Sequence, residues 1–291
     1  MSDFEFADRA LPRDVPQVMG ILNITRDSFS DGGELLKGGK PAISLVIERA
    51  AAMASDGASI LDLGGESTRP GAEPVSSTQE LDRVLPALEA LRARFDVVLS
   101  LDTSNPVLIK EGAALGAHLV NDVRALSVPG ALDAARLSGL PVCLMHMQGQ
   151  PGTMQKAPVY QDVVQEVADF LVQRAADCIA AGIPAEKIML DPGFGFGKTF
   201  AHNLTLLRHI ATFTRLPYPV LAGVSRKKML GEITGKPEKE RIYAGIGAAV
   251  IAVMQGAWII RTHDVAATVD ALKVIEQLGS TGSSNGLWSS Q

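Results

Sequence analysis

The chain has 291 residues, 46% hydrophobic and 20% charged, enough apolar content for a large buried core and too much for a disordered chain. Its 27 Lys and Arg against 32 Asp and Glu give a net charge of −5, with no basic run longer than Arg226-Lys227-Lys228, which argues against nucleic acid as a partner. Two cysteines, an acidic start without an export-signal core, and no apolar stretch reaching the roughly 20 residues of a membrane span predict a cytoplasmic protein with no membrane partner and no disulfide or thiolate metal framework.

Residues 1–15 have linker composition and are expected to form an N-terminal arm outside the folded body. Eight short runs rich in Val, Ile and Leu then follow, at 18–25, 59–65, 97–103, 118–123, 142–147, 188–193, 219–225 and 258–263. Each is followed by a turn-rich stretch and a segment with apolar residues three and four apart, the last at 265–278. The runs are continuously apolar, as strands buried on both faces must be. Eight strands alternating with eight helices predict an α/β fold of the (β/α)8 TIM-barrel type, a single domain over 16–278, with 279–291 as a flexible C-terminal tail. A doubly wound open sheet is the competing architecture, and no glycine-rich dinucleotide turn opens the chain to favour it. The segment 241–255 is apolar nearly all round, so a second cover is expected on its outer face; a homodimer supplies one, a close-packed helix within a monomer is the plainer reading.

Barrel active sites lie at the C-terminal ends of the strands. There the sequence places Asn23, Asp62, Asp102, Asn121, Asp191, Lys227 just past the seventh strand, and Arg261 with His263 on the eighth. So many polar ends at one level predict a functional mouth, because burying unpaired charges costs several kcal/mol each. Asp102, Asp191 and Asn121 are short planar acceptors suited to the N–H edge of an amino-pyrimidinone ring, and Lys227 can donate to such a ring. Met145 and Met147 suit the face of a flat ring, while His146 between them reads as structural. Arg261 and His263 suit phosphate or diphosphate oxygens, and Asn23 is a candidate oxygen ligand for Mg²⁺ held largely by those phosphates. Gly193-Phe-Gly-Phe-Gly-Lys-Thr199 imitates a phosphate-binding loop, but position 192 is Pro where a Walker motif needs Gly, and position 198 is Lys where a dinucleotide motif needs Gly. It reads as a flexible loop offering Phe194 or Phe196 as a cover for a ligand.

Two long motifs, Met19-Gly-Ile-Leu-Asn-Ile-Thr-Arg-Asp-Ser-Phe-Ser-Asp-Gly-Gly33 and Gly64-Gly-Glu-Ser-Thr-Arg-Pro-Gly71, resemble the signature loops of the dihydropteroate synthase family. Leu101-Asp-Thr-Ser, Val120-Asn-Asp-Val-Arg, Cys143-Leu-Met-His-Met-Gln-Gly, Leu190-Asp-Pro-Gly-Phe-Gly-Phe-Gly-Lys, Ser225-Arg-Lys and Ile260-Arg-Thr-His resemble its further blocks in the same order. The resemblance implies condensation of (7,8-dihydropterin-6-yl)methyl diphosphate with 4-aminobenzoate in folate synthesis, with Mg²⁺ as cofactor. It implies that Asp62, Thr68, Asp102, Asn121, Asp191, Lys227, Arg261 and His263 hold the pterin diphosphate, with Asp102, Lys227, Arg261 and His263 in the chemistry and Asn23 on the metal. Phe29, Thr68, Arg69, Pro70, Phe196 and Ser225 are implied for 4-aminobenzoate. The loops at 24–39 and 66–78 are expected to close over the site, and sulfonamide analogues of aminobenzoate are expected to compete there.

Two positions depart from the family pattern. Arg26 stands where proline is usual, which leaves the first loop less restrained, and Lys228 stands where many members carry serine. Lys228 either strengthens binding of the aminobenzoate carboxylate or points away from it. A methyltetrahydrofolate-type pterin methyltransferase, or a noncatalytic pterin-binding subunit, are the alternatives to the synthase. The methyltransferase would not need the Ser67-Thr-Arg-Pro70 loop or the pair Arg261 and His263, and loss of a strand-end ligand would favour the noncatalytic subunit, yet all are present.

Overall fold

The computed structural model describes residues 3–25, 35–67, 75–149, 154 and 157–280. A hairpin of β1 (Phe4–Phe6) and β2 (Arg9–Leu11) comes first. The barrel opens with β3 (Gln17–Asn23) and, after a two-residue-wide hairpin of β4 (Leu36–Lys37) and β5 (Lys40–Pro41), continues through β6 (Ile60–Gly64), β7 (Val98–Asp102) and β8 (Leu119–Asp122). It is completed by β9 (Val142–Met145), β10 (Ile188–Asp191), β11 (Leu221–Ala222) and β12 (Ile259–Thr262). These eight strands are parallel, in the order β10-β9-β8-β7-β6-β3-β12-β11, and a bridge between Leu190 and Val220 joins the first to the last. The sheet therefore closes, and the eight runs read from the sequence are its eight strands.

The helices among the described residues are α1 (Ile43–Ser55), α2 (Ser77–Arg92), α3 (Pro106–Ala114), α4 (Ala131–Ser138), α5 (Val163–Ala181), α6 (Phe200–Arg208), α7 (Ala211–Thr214), α8 (Lys228–Thr234), α9 (Ile242–Met254) and α10 (Val265–Ser280). Local sequence sets their ends. Ser76 and Gln79 form a reciprocal capping box on α2, Asn105 caps α3 with Pro106 in the first helical position, and Asp162 accepts from two backbone N–H groups of α5. None of the described helices is long and apolar enough to cross a membrane.

Alternate residues on a strand face opposite sides, and in a closed barrel those sides are the interior and the helix layer. One inward residue per strand forms a contiguous buried layer: Met19, Ile60, Val98, Leu119, Cys143, Met189, Leu221 and Ile259. Outward residues such as Leu22, Leu61, Leu99, Val120, Leu144 and Ile260 belong to a separate, larger core under the helices. Two positions further along each strand the inward residues become Asp62, Ser100, Asn121, Asp191 and Arg261. That step sets the level of the site.

The arm at 1–15 is not the loose linker its composition suggests. Phe4 and Phe6 are buried beneath the inward layer, with ring centroids 5.4 and 6.1 Å from that of Trp258, and plug the N-terminal end of the barrel. The intervening turn is tied down by Asp8, which accepts from Arg92 at 2.6 Å and pairs with His118 at 2.9 Å. Leu99 donates its backbone N–H to His118 Nδ1, so Nε2 carries the proton that goes to Asp8.

Candidate active site

Asp62 is fully buried at the centre of the mouth. Its Oδ1 accepts from Ser100 Oγ at 2.6 Å, and its Oδ2 from Asn121 Nδ2 at 3.0 Å and Arg261 Nε at 2.6 Å. Arg261 turns its Nη2 to Asp102 at 2.7 Å, so one guanidinium bridges two carboxylates. Both oxygens of Asp62 are thus taken by protein donors. Asp62, implied for the pterin, is not among the residues lining the cleft and holds Asn121 and Arg261 from behind it. Burial pushes Asp102 up to about 7, Arg261 pulls it down, and the nearby Asp62 raises it further. The same two carboxylates more than offset the burial of Arg261 and hold it firmly charged.

A narrow cleft opens above this layer, lined by Asp102, Asn121, Met145, Asp191, Lys227 and Arg261, with Val123, Phe194, Phe196 and Gly223 completing the wall. The strand ends therefore bring most of the expected pterin residues together. Burial raises Asp191, and its Oδ1 accepts from the Gly193 N–H at 2.7 Å. The loop after β10 then presses against the end of β9: a Cβ on Gly193 would lie 2.0 Å from the His146 carbonyl, and one on Gly197 2.3 Å from that of Gln148. Both glycines have positive φ, so these positions need glycine on two counts. Phe196 presents its ring to Lys227, whose Nζ lies 4.4 Å from the ring centroid.

This loop differs from the flexible segment expected. Asn203 takes the Gly195 N–H at 2.7 Å, Tyr160 donates to the Gly197 carbonyl at 2.9 Å, and Lys198 donates to the carbonyls of Gly193 and Phe196. His146 is buried beneath it, bonded to Lys198 and outside the cleft lining.

At the rim, the Ser225 hydroxyl accepts the His263 backbone N–H at 3.2 Å and meets His263 Nδ1 at 3.1 Å. A hydroxyl that donates to Nδ1 places the imidazole proton on Nε2, a donor suited to an anion. Ser225, expected beside aminobenzoate, therefore orients His263. Asn23 ends β3 with its Oδ1 close to Gly64, whose neighbour in space is Asp102. Lys228 is 89% exposed and pairs with Glu232 at 3.6 Å one helical turn on, so it points away. Phe29, Thr68, Arg69 and Pro70, like Arg26, lie outside the described residues.

Sequence reasoning missed the support behind Asn121. Asp122, fully buried, accepts from Ser104 Oγ and from the backbone N–H groups of Arg124 and Leu126, both at 2.8 Å. Arg124 in turn grips Glu66 with two bonds of 3.0 and 3.1 Å. The signal for Asp122 was its place beside Asn121, but an outward residue on a strand reads as packing.

With this geometry in view, comparison with known proteins decides the family. Residues 19–263 match the pterin binding enzyme family. The dihydropteroate synthase of Escherichia coli (strain K12) is 52% identical over 261 residues, covering 90% of this chain and 91% of its own. The chain belongs to the dihydropteroate synthase family. Among solved structures, the Yersinia pestis dihydropteroate synthase in a sulfonamide drug complex is 49% identical with a TM-score of 0.92, covering 96% of this chain and 100% of the other. The Burkholderia cenocepacia dihydropteroate synthase complexed with 7,8-dihydropteroate is 45% identical with a TM-score of 0.86, covering 96% and 97%. The dihydropteroate synthase fold thus spans the barrel from the mouth to the floor.

Proposed function

We propose that the chain condenses (7,8-dihydropterin-6-yl)methyl diphosphate with 4-aminobenzoate to 7,8-dihydropteroate and diphosphate, with the mouth residues in defined roles. The observation that carries this reading is the single cleft on which Asp102, Asn121, Asp191, Lys227 and Arg261 converge. Asp191 and Asn121 accept and donate along the amino-pyrimidinone edge, and Lys227 donates to the ring. Asp102 faces the ring from the opposite strand. Arg261 keeps two N–H groups on Asp62 and Asp102 and turns its remaining donors to the diphosphate, with His263 Nε2 beside it.

The reacting carbon is a methylene conjugated to the ring, so loss of diphosphate leaves a cation that the ring delocalises. The carboxylates of Asp102 and Asp191 stabilise that charge, and Arg261 and His263 stabilise the departing anion. An aromatic amine is neutral near pH 7, so the nucleophile needs placement and no general base. Phe196, with Phe29, Thr68, Arg69 and Pro70 from the two loops, is assigned to the aminobenzoate side, where excluding water protects the cation.

Mg²⁺ fits the donor set. Among the described residues no cluster of three or more His, Cys, Asp or Glu could hold a metal, and no hydrogen-bond partner claims the Asn23 amide. One protein oxygen plus phosphate oxygens is how Mg²⁺ is commonly held, and the ion, when bound, neutralises the diphosphate as a leaving group. Aminobenzoate analogues of the sulfonamide type compete in this site.

A second copy of the chain is the proposed partner. Tyr243, Ile251 and Met254 on α9 and Val274 and Leu278 on α10 are exposed apolar side chains on adjacent helices, the pattern a homodimer covers. Both cysteines are buried and free, which supports the cytoplasm as the compartment.

The test is diphosphate release from the pterin substrate and Mg²⁺, with and without 4-aminobenzoate. Release that requires aminobenzoate is expected. Tight pterin binding without release would favour the noncatalytic subunit, and methyl transfer from methyltetrahydrofolate would favour the methyltransferase.

A further inference from the structure

Among the described residues, Lys198 is a buried cation that the chemistry above does not use. Lys198 is 3% exposed, and its Nζ meets four acceptors: His146 Nδ1 at 2.9 Å, the Gly193 carbonyl at 2.9 Å, the Phe196 carbonyl at 3.0 Å and the His146 carbonyl at 3.3 Å. An ammonium brings three protons, and the three shortest contacts take them. Burying a lysine is costly, and burial lowers this one to about 7, while Asp191 opposes that shift and Lys227 adds to it. So expensive a group is retained where nothing cheaper does its task.

We propose that Lys198 is a positioning residue for the second substrate, acting through Phe196. Its ammonium holds the carbonyls of Gly193 and Phe196, which bracket the turn closed by the Phe196 N–H to Gly193 carbonyl bond of 3.1 Å. It anchors that turn to His146 at the end of β9. Phe196 lines the cleft, so its place fixes an apolar wall of it, while Lys227, 4.4 Å from the ring centroid, is also drawn electrostatically to Asp191. Asp191, which begins the same loop, is held by the strand ladder through its pairing with Met145, a restraint that does not pass through Lys198. Loss of Lys198 therefore disturbs the aminobenzoate side of the cleft and spares the pterin side. The proposal rests on the synthase reading given above.

The experiment compares wild type, Lys198→Met, Phe196→Leu and the double variant in steady-state kinetics, with pterin-diphosphate affinity measured separately. In Lys198→Met the KM for 4-aminobenzoate is expected to rise about tenfold, with kcat and pterin-diphosphate affinity held within about twofold. In the Phe196→Leu background the same substitution is expected to add less than about twofold, because two residues acting as a unit are not additive. An unchanged KM, equal losses toward both substrates, or a full effect persisting without Phe196 would overturn the proposal. Should Lys198→Met fail to fold, Tyr160→Phe releases the Gly197 carbonyl of the same loop and is expected to raise the same KM about threefold, no rise being the contrary result. Wild type that turns over while the variants match it sinks only this inference; wild type that does not turn over sinks the synthase reading and this inference with it.

Discussion

The two ends of the barrel are made from the same strands and obey opposite rules. At the N-terminal end, Met19, Ile60, Val98, Leu119, Cys143, Met189, Leu221 and Ile259 close on one another and on Phe4, Phe6 and Trp258. Each aliphatic or phenyl side chain among them contributes on the order of 1.5–3 kcal/mol by leaving water, and the indole N–H of Trp258 is met by the Pro12 carbonyl at 3.0 Å. Two residues along, the inward positions carry Asp62, Asn121, Asp191 and Arg261, whose burial is tolerable because Asn121 and Arg261 donate to Asp62 and the Gly193 N–H donates to Asp191. Stability resides at the floor and reactivity at the mouth, separated by one step of the strand period.

The largest effect that would break this division is expected from Arg261→Ala. In the proposed mechanism it removes the donor to the diphosphate, and it strands Asp62 and Asp102 as neighbouring carboxylates, so kcat/KM should fall by about a thousandfold or more. A loss below tenfold in a steady-state assay would deny Arg261 its role. At the other end, Phe6→Ala empties the plug and should cost about 3–5 kcal/mol in urea unfolding, with pterin affinity in the surviving folded protein unchanged.

A titration sharpens the comparison further. In the proposed mechanism Asp102 accepts from the pterin as a carboxylate, and burial lets it hold its proton up to about 7. Pterin affinity should therefore weaken as pH falls from 8 to 6, approaching about tenfold per pH unit, and Asp102→Asn should flatten the profile. Stability takes the opposite sign: between the unfolded value near 3.8 and the folded value of about 7 the native state keeps a proton the unfolded chain has lost, so this group's contribution declines as pH rises through that window. The smallest effect belongs to Lys228→Ser. With that side chain exposed and paired only to Glu232, aminobenzoate KM should move by less than about twofold and stability by less than about 0.5 kcal/mol.

The strands were legible because a covered parallel barrel buries both faces and writes long apolar runs, and the mouth was legible because charges interrupt those runs at their C-terminal ends. The hairpin at the floor was not. Its strands have three residues each, and the one clue, Phe4-Glu5-Phe6 with the middle residue exposed, is too short a period-two pattern to stand against a linker composition. Asp62 was placed at the right level, and its three donors come from β7, β8 and β12, a convergence that only the closed barrel shows. The glycine loop was misread for a similar reason. Glycines license many conformations, and what selects one here is a set of side chains, Lys198, Asn203, Tyr160 and Asp191, some of them far along the chain.

The most direct test of the division uses two inward residues of one strand, Met189 and Asp191 on β10. Met189→Ala should lower the urea midpoint by an amount corresponding to about 2–5 kcal/mol and leave pterin-diphosphate affinity intact. Asp191→Asn should reduce that affinity about a hundredfold, with the midpoint unchanged or higher because a buried charge has been removed. If Met189→Ala weakens pterin binding as much as Asp191→Asn does, or if Asp191→Asn unfolds the protein, floor and mouth are not the separable layers described.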